Sequence, residues 1–231
     1  MSIDLSSFEK HLGITFKDKV LLRTAFTHRS YLNENRKSGM EHNERLEFLG
    51  DAVLELIVTE YLYSKYPDRN EGDLTSYRSA LVNAVTLAGV AEGLGMNDHL
   101  LLSRGETKDI GRARQVILAN TIEAFIGALY LDQGYEETKG FVSKHIFKLV
   151  DEIVHNRMWL DAKSHFQEKA QEIVGVTPSY ETVKALGPDH DKQFTVAVFL
   201  GKERVAEGEG KSKQEAEQAA AKLGLEAKKW G

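Results

Sequence analysis

Apolar residues in Asn43 to Tyr63, "NERLEFLGDAVLELIVTEYLY", recur at three- and four-residue intervals, the period of a helix that buries a stripe. The same period runs through "DKVLLRTAFTH", "EGDLTSYRSALVNAVTLAGVAEGLG" and "ARQVILANTIEAFIGALYLDQG". A further helix is predicted near Glu136 to Val154, with Val142, Ile146, Leu149 and Ile153 on one stripe. Breakers separate these segments: "YPDRNEG", "LGMND" and "DQGYE". The polar stretch Leu102 to Arg114, "LSRGETKDIGRAR", reads as an exposed loop.

Near His155 to Asp161 the pattern changes. A helix "AKSHFQEKAQEIVG" is predicted, with Phe166, Ala170 and Ile173 on its apolar face. Strand-like segments follow: "PSYETVKALG", "QFTVAVFLG" and "KERVAEGEG". In the second, Phe194, Val196, Val198 and Leu200 alternate as a half-buried strand requires. A final helix, "SKQEAEQAAAKLGLEAKK", completes an α-β-β-β-α order. The prediction is an all-helical unit over 1–158 and a small α+β unit over 159–231, with no internal repeat.

Composition narrows the chemistry. The chain has 231 residues and no cysteine. Disulfides, thiolate nucleophiles and cysteine-ligated zinc are therefore excluded. The start does not read as a secretory signal, and no segment has the ~18 uninterrupted apolar residues of a membrane span. A cytoplasmic protein is the expectation. The net formal charge is −5, and neither unit is basic as a whole, so any nucleic-acid binding must come from local patches.

The helix at 43–63 raises a question. Glu44, Glu47 and Asp51 share one of its faces, flanked by Leu46, Phe48, Leu49, Val53 and Leu54. Carboxylates massed on a partly buried surface repel one another and resist desolvation. Open water relieves this, and so does a cation. Gly50 costs roughly 1 kcal/mol in a helix interior relative to alanine, which makes sense if another backbone approaches closely. In "ILANTIEAFIGALYLDQG", Asn120 and Glu123 share a face and Gly127 follows one turn later. Two helices meeting through glycines, each offering oxygen ligands, predict a pocket for a hard cation such as Mg²⁺ or Mn²⁺. A serine nucleophile is a poor alternative: His28 and Ser30 lie in "FTHRSY", but no strained serine turn is marked.

The residues "NERLEFLGDAVLE" resemble the signature of bacterial ribonuclease III, and the likeness extends over the chain through "LLRTAFTHRSY", "NEGDLTSYRSALVN" and "ANTIEAFIGALYLDQG". The C-terminal pattern resembles a double-stranded-RNA-binding domain. The resemblance implies a metal-dependent endoribonuclease that cuts duplex RNA to 5′-phosphate and 3′-hydroxyl ends, processing ribosomal and other RNA precursors. By motif position it implies Asp51 and Glu123 as catalytic residues, Glu47, Asp51, Asn120 and Glu123 as metal ligands, and Glu44 and Glu71 as auxiliary acids. It also implies a homodimer in which Phe48 inserts into the partner; ordinary core packing is the other reading of Phe48. Asn120 stands where the family pattern usually has aspartate. A neutral amide weakens the site, leaving a tolerated variant, a slow enzyme or a deliberate change open. A non-cleaving RNA-binding protein is the alternative function.

In the C-terminal unit, Ser212 and Glu215 have capping-box spacing, which places Lys211 and Lys213 at a helix N-terminus. A phosphate there and a solvated charge run are the two readings of the pattern, and the resemblance points to the phosphate. The resemblance adds Gln167 and Gln171 as minor-groove contacts and His190 as a residue entering a second minor groove, flanked by Asp189 and Asp191. Arg112 and Arg114 either touch phosphates near the cut or belong to a solvated loop.

Overall fold

The computed structural model describes residues 5–108, 111–155, 161–188 and 192–230. The chain divides into two compact units, Met1–Trp159 and Leu160–Gly231. Unit one is helical: α1 (Ser6–Leu12), α2 (Lys19–Ala25), α3 (Arg29–Glu34), α4 (Glu44–Lys65), α5 (Glu71–Val82), α6 (Ala84–Gly93), α7 (Arg112–Gln133), α8 (Tyr135–His145) and α9 (Val150–His155). Helix α7 runs through its middle. Ile117, Leu118, Ile122, Phe125, Ile126 and Leu129 are all buried, so this helix is apolar nearly all round and other elements wrap it. Each fully buried side chain of this kind stabilises the fold by about 1.5–3 kcal/mol. No described helix is long and apolar enough to cross a membrane.

Helices α4 and α7 touch through their backbones. A β-carbon on Gly50 would overlap the carbonyl oxygen of Glu123, and one on Gly127 would overlap that of Leu46. Glycine is therefore required at both places, as the sequence predicts. The start of α4 is pinned separately: buried Asn43 donates its backbone N–H to Thr27 O at 2.9 Å and its side-chain amide to Ala25 O at 3.3 Å.

Three boundaries differ from the sequence expectation. The helical stretch after Glu71 breaks at Asn83, which adopts an extended conformation. Its side chain donates to Ala80 O at 2.9 Å and accepts from Thr86 N at 2.9 Å, ending α5 and capping α6. The segment after Glu136 is also broken, by a tight turn at Phe147–Leu149. There the Phe147 ring stacks on Tyr61 with centroids 3.7 Å apart. Finally, Arg112 and Arg114 belong to the first turn of α7 rather than to a loop. The Arg114 guanidinium donates to Glu106 O at 2.8 Å and so satisfies the preceding turn.

Unit two contains α10 (Ala162–Val174), β1 (Ser179–Leu186), β2 (Gln193–Leu200), β3 (Glu203–Gly210) and α11 (Lys213–Lys228). The sheet is antiparallel with order β1-β2-β3. Phe166, Val198, Ala220, Ala221 and Leu225 form its buried core. Val196 and Val198 point inward as predicted, with Phe194 and Leu200 half-buried at the strand's ends. Ile173 is 53% exposed, against the expectation that it joins the core. Helix α11 lies so close to β3 that a β-carbon on Gly210 would be 2.6 Å from Ala216 N.

Substituting Gly50→Ala or Gly127→Ala is expected to destabilise unit one by about 3 kcal/mol or more, because backbone rather than a flexible side chain must move. Urea denaturation measures this, and a loss below about 0.5 kcal/mol contradicts the crossing.

Candidate functional site

The glycine crossing places the acidic face of α4 against Glu123 of α7. Gly50, one residue before Asp51, abuts the main chain of Glu123 itself. Glu123 is pushed up to about 8, first by burial and then by the charges of Asp51 and Glu47. Glu47 is also raised, by burial, by Glu44 and by Asp51, while a hydrogen bond from the Asn120 side chain opposes the shift. Glu47, Asp51, Asn120 and Glu123, four of the residues singled out from sequence, are thus brought into one electrostatic neighbourhood. Asp51 is exposed, whereas Glu47, Asn120 and Glu123 are half-buried.

Glu44 lies on the rim. Its carboxylate is 3.1 Å from the Arg29 guanidinium and 3.7 Å from His42 Nδ1. Sequence reasoning missed Arg29, because nothing in "THRSY" reveals that α3 begins beside α4. Glu71 lies on a different helix. It opens α5, accepts from Thr75 Oγ1 at 3.1 Å, and no described contact ties it to Glu47, Asp51 or Glu123. His28 is a supporting residue: its Nδ1 is 2.8 Å from Ser30 Oγ at the start of α3, and burial lowers its pKa.

Among the described residues, no group of three or more His, Cys, Asp or Glu side chains is gathered closely enough to hold a metal ion. The expected cage is therefore not assembled as it stands. Bare carboxylates of like charge repel, which opposes convergence to coordination distance. The donor set still fits a hard divalent cation. Every donor is oxygen, and the carboxyls, raised first by burial and then by mutual repulsion, resist charge in a way that a cation at this spot offsets.

Phe48 faces outward and is 81% exposed, so the core-packing reading fails. With Val20, Leu21, Leu49 and Leu131 it lines an open cavity of about 1060 Å³. Val20 is 68% and Leu131 54% exposed.

In unit two, Ser212 Oγ accepts from Glu215 N at 3.2 Å, and the Glu215 carboxylate accepts from Lys211 N at 3.0 Å. Lys211 and Lys213 are exposed at that helix start. Gln167 and Gln171 are exposed on α10 and line a shallow cavity of about 670 Å³ with Ser164, Glu168 and Glu172. His190, with Asp189 and Asp191, lies outside the described residues.

Comparison with known proteins decides the family. Residues 18–150 match a ribonuclease-III-like model, and residues 162–228 match a double-stranded RNA binding motif. Ribonuclease 3 of Pelotomaculum thermopropionicum is 44% identical over 96% of this chain and 92% of its own. The chain belongs to the ribonuclease III family. Ribonuclease 3 of Oceanobacillus iheyensis is likewise 44% identical, over 97% of this chain and 98% of its own. Among solved structures, the nuclease domain of Campylobacter jejuni ribonuclease III matches with a TM-score of 0.57 and 43% identity. That match covers 63% of this chain and 97% of that one, and that work describes flexibility in a region involved in dimer formation. Ribonuclease III membership carries the activity of a double-strand-specific endoribonuclease. The family is metal-dependent in general.

A carboxyl whose folded pKa is raised from 4.5 to about 8 supports the fold below pH 4.5 and loses that contribution as pH rises toward 8. In chelator, the melting temperature is expected to fall across this window. Glu123→Gln should flatten the fall, and an unchanged slope in that variant contradicts the assignment.

Proposed function

We propose that this ribonuclease III cuts duplex RNA at the face shared by α4 and α7, with Mg²⁺ as the metal and Mn²⁺ as a substitute. The observation that carries the reading is that Glu47 and Asp51 of α4 both act on the half-buried Glu123 of α7 beside the glycine crossing. A divalent cation supplies a Lewis acid that makes water nucleophilic near neutral pH and stabilises charge on the leaving oxygen. Glu47, Asp51 and Glu123 would hold it, and Asn120 would add a neutral oxygen. Asn120 also hydrogen-bonds Glu47, which restrains that carboxylate. Arg29 keeps Glu44 beside the site and offsets part of its charge. Water attacks phosphorus, the bond to the 3′-oxygen breaks, and that oxygen takes up a proton. The products are 5′-phosphate and 3′-hydroxyl ends.

A duplex has two strands, and one pocket cuts one strand. Two copies related by twofold symmetry supply the second pocket. The exposed Phe48, Val20 and Leu131 support an apolar contact between copies beside α4, with Phe48 entering the partner's cavity. Unit two, assigned to 159–231, grips A-form RNA by shape through Gln167, Gln171, Lys211 and Lys213, with His190 assigned to the same task. Glu71 serves as an auxiliary acid only if bound RNA or a second copy brings it near. Precursors of ribosomal and other RNAs, met in the cytoplasm, are the substrates this reading favours. A protein that binds RNA without cutting it is not favoured, since relatives matched over nearly the whole chain are ribonucleases.

A labelled duplex incubated with Mg²⁺, against a chelator control, tests the proposal. Metal-dependent fragments are expected, and a mobility shift without fragments contradicts it. Glu123→Gln should slow cleavage by about a hundredfold or more, beyond the usual loss from an indirect metal partner, while leaving duplex binding intact. Asn120→Asp should lower the Mg²⁺ concentration for half-maximal cleavage roughly tenfold, ~1.4 kcal/mol of added attraction. An unchanged metal requirement removes Asn120 from the ligand set.

A further inference from the structure

A second cavity, about 700 Å³, opens beside α3 and the segment 35–40. Arg23, Arg36 and Lys37 line it with one carboxylate, Glu34. Three cations against one anion leave a local positive excess in a chain whose net charge is −5. Glu34 is already engaged, accepting the Arg104 backbone N–H at 3.3 Å. The three cations make no ion pair or side-chain hydrogen bond with any described residue. Some cations elsewhere in this unit are matched: Arg29 lies 3.1 Å from Glu44, and Lys65 2.6 Å from Asp151.

Arg23 is half-buried in the last turn of α2, where a cation complements the helix dipole. That accounts for Arg23 alone. It does not account for Arg36 and Lys37 meeting it around one hollow. The hollow is also close to the acidic face. Helix α3 rises about 9 Å over its length. Arg29 at its start pairs with Glu44, and Glu34 at its end lines the hollow. A polyanion approaching Glu44, Glu47, Asp51 and Glu123 is repelled. Unpaired guanidinium and ammonium groups one short helix away offset that repulsion, and the guanidinium fork matches phosphate oxygens.

We propose that the hollow formed by Arg23, Arg36 and Lys37 binds phosphodiester groups of the same duplex RNA whose cleavage α4 and α7 perform. This rests on the function proposed above. The cavity is then a positioning site: it holds backbone and carries no sequence information.

The test uses the full chain, chelator to prevent cleavage, and a duplex of about 25 base pairs, longer than the span of one RNA-binding domain. Affinity is measured across a salt series for wild type, R36Q/K37Q, R23Q/R36Q/K37Q and a K211Q/K213Q control. Each lost phosphate contact should reduce the slope of log affinity against log salt by about one. The double variant should lose about two units with unchanged sedimentation, and the triple about three. Arg36 and Lys37 are exposed, so the double variant decides the matter even if the triple fails to fold. An unchanged slope in the double variant beside a reduced one in the control overturns this site alone. An unchanged slope with a shifted dimer equilibrium assigns the hollow to a second copy and also overturns it. A wild type that binds no duplex overturns the proposed function as well.

Discussion

The backbones of α4 and α7 meet at Gly50 and Gly127, and the rest of unit one is arranged around that contact. Two helices normally pack 8–10 Å apart, held off by their side chains. Removing the side chain at both crossing points lets the main chains touch. The residues on either side then face one another at short range. On α4 these are Leu46 and Glu47 before Gly50 and Asp51 after it; on α7 it is Glu123, one turn before Gly127. Any larger residue at either glycine pushes the acids apart. The contact that is worst for helix propensity is therefore the one that creates the site.

The arrangement carries an electrostatic penalty. The more buried the carboxyl, the more its charge is resisted: Glu123, between Asp51 and Glu47, is displaced up to about 8. The surrounding fold must hold these groups together against repulsion. It does so with a buried α7, with Asn43 locking the start of α4, and with Arg29 drawing off part of the charge of Glu44. Partial relief is useful here. Full neutralisation by internal ion pairs would leave nothing for a divalent cation to bind.

Much of this was legible in the sequence. Helical period marked α4 and α7, alternating period marked β2, and a glycine in the middle of each acidic helix signalled close approach. The Ser212 and Glu215 spacing predicted a cap that the structure shows, although Glu215 reaches the N–H of Lys211 rather than of Ser212. The misses have physical causes. Asn83 breaks α5 from α6 through side-chain hydrogen bonds that a hydrophobic period does not register. The turn at 147–149 is accompanied by an aromatic stack onto α4, a tertiary contact invisible to local pattern. Ile173 on the outward side of α10 looked like core because periodicity cannot tell a core from an uncovered surface.

The central claim is that oxygen donors from two helices capture one hard cation at the glycine crossing. The most direct measurement is anomalous diffraction from crystals soaked in manganese. The account predicts a peak within coordination distance of Glu47, Asp51 and Glu123, with their carboxylates converged on it. Clear density showing Glu47 and Glu123 turned apart, with no anomalous peak between α4 and α7, contradicts it.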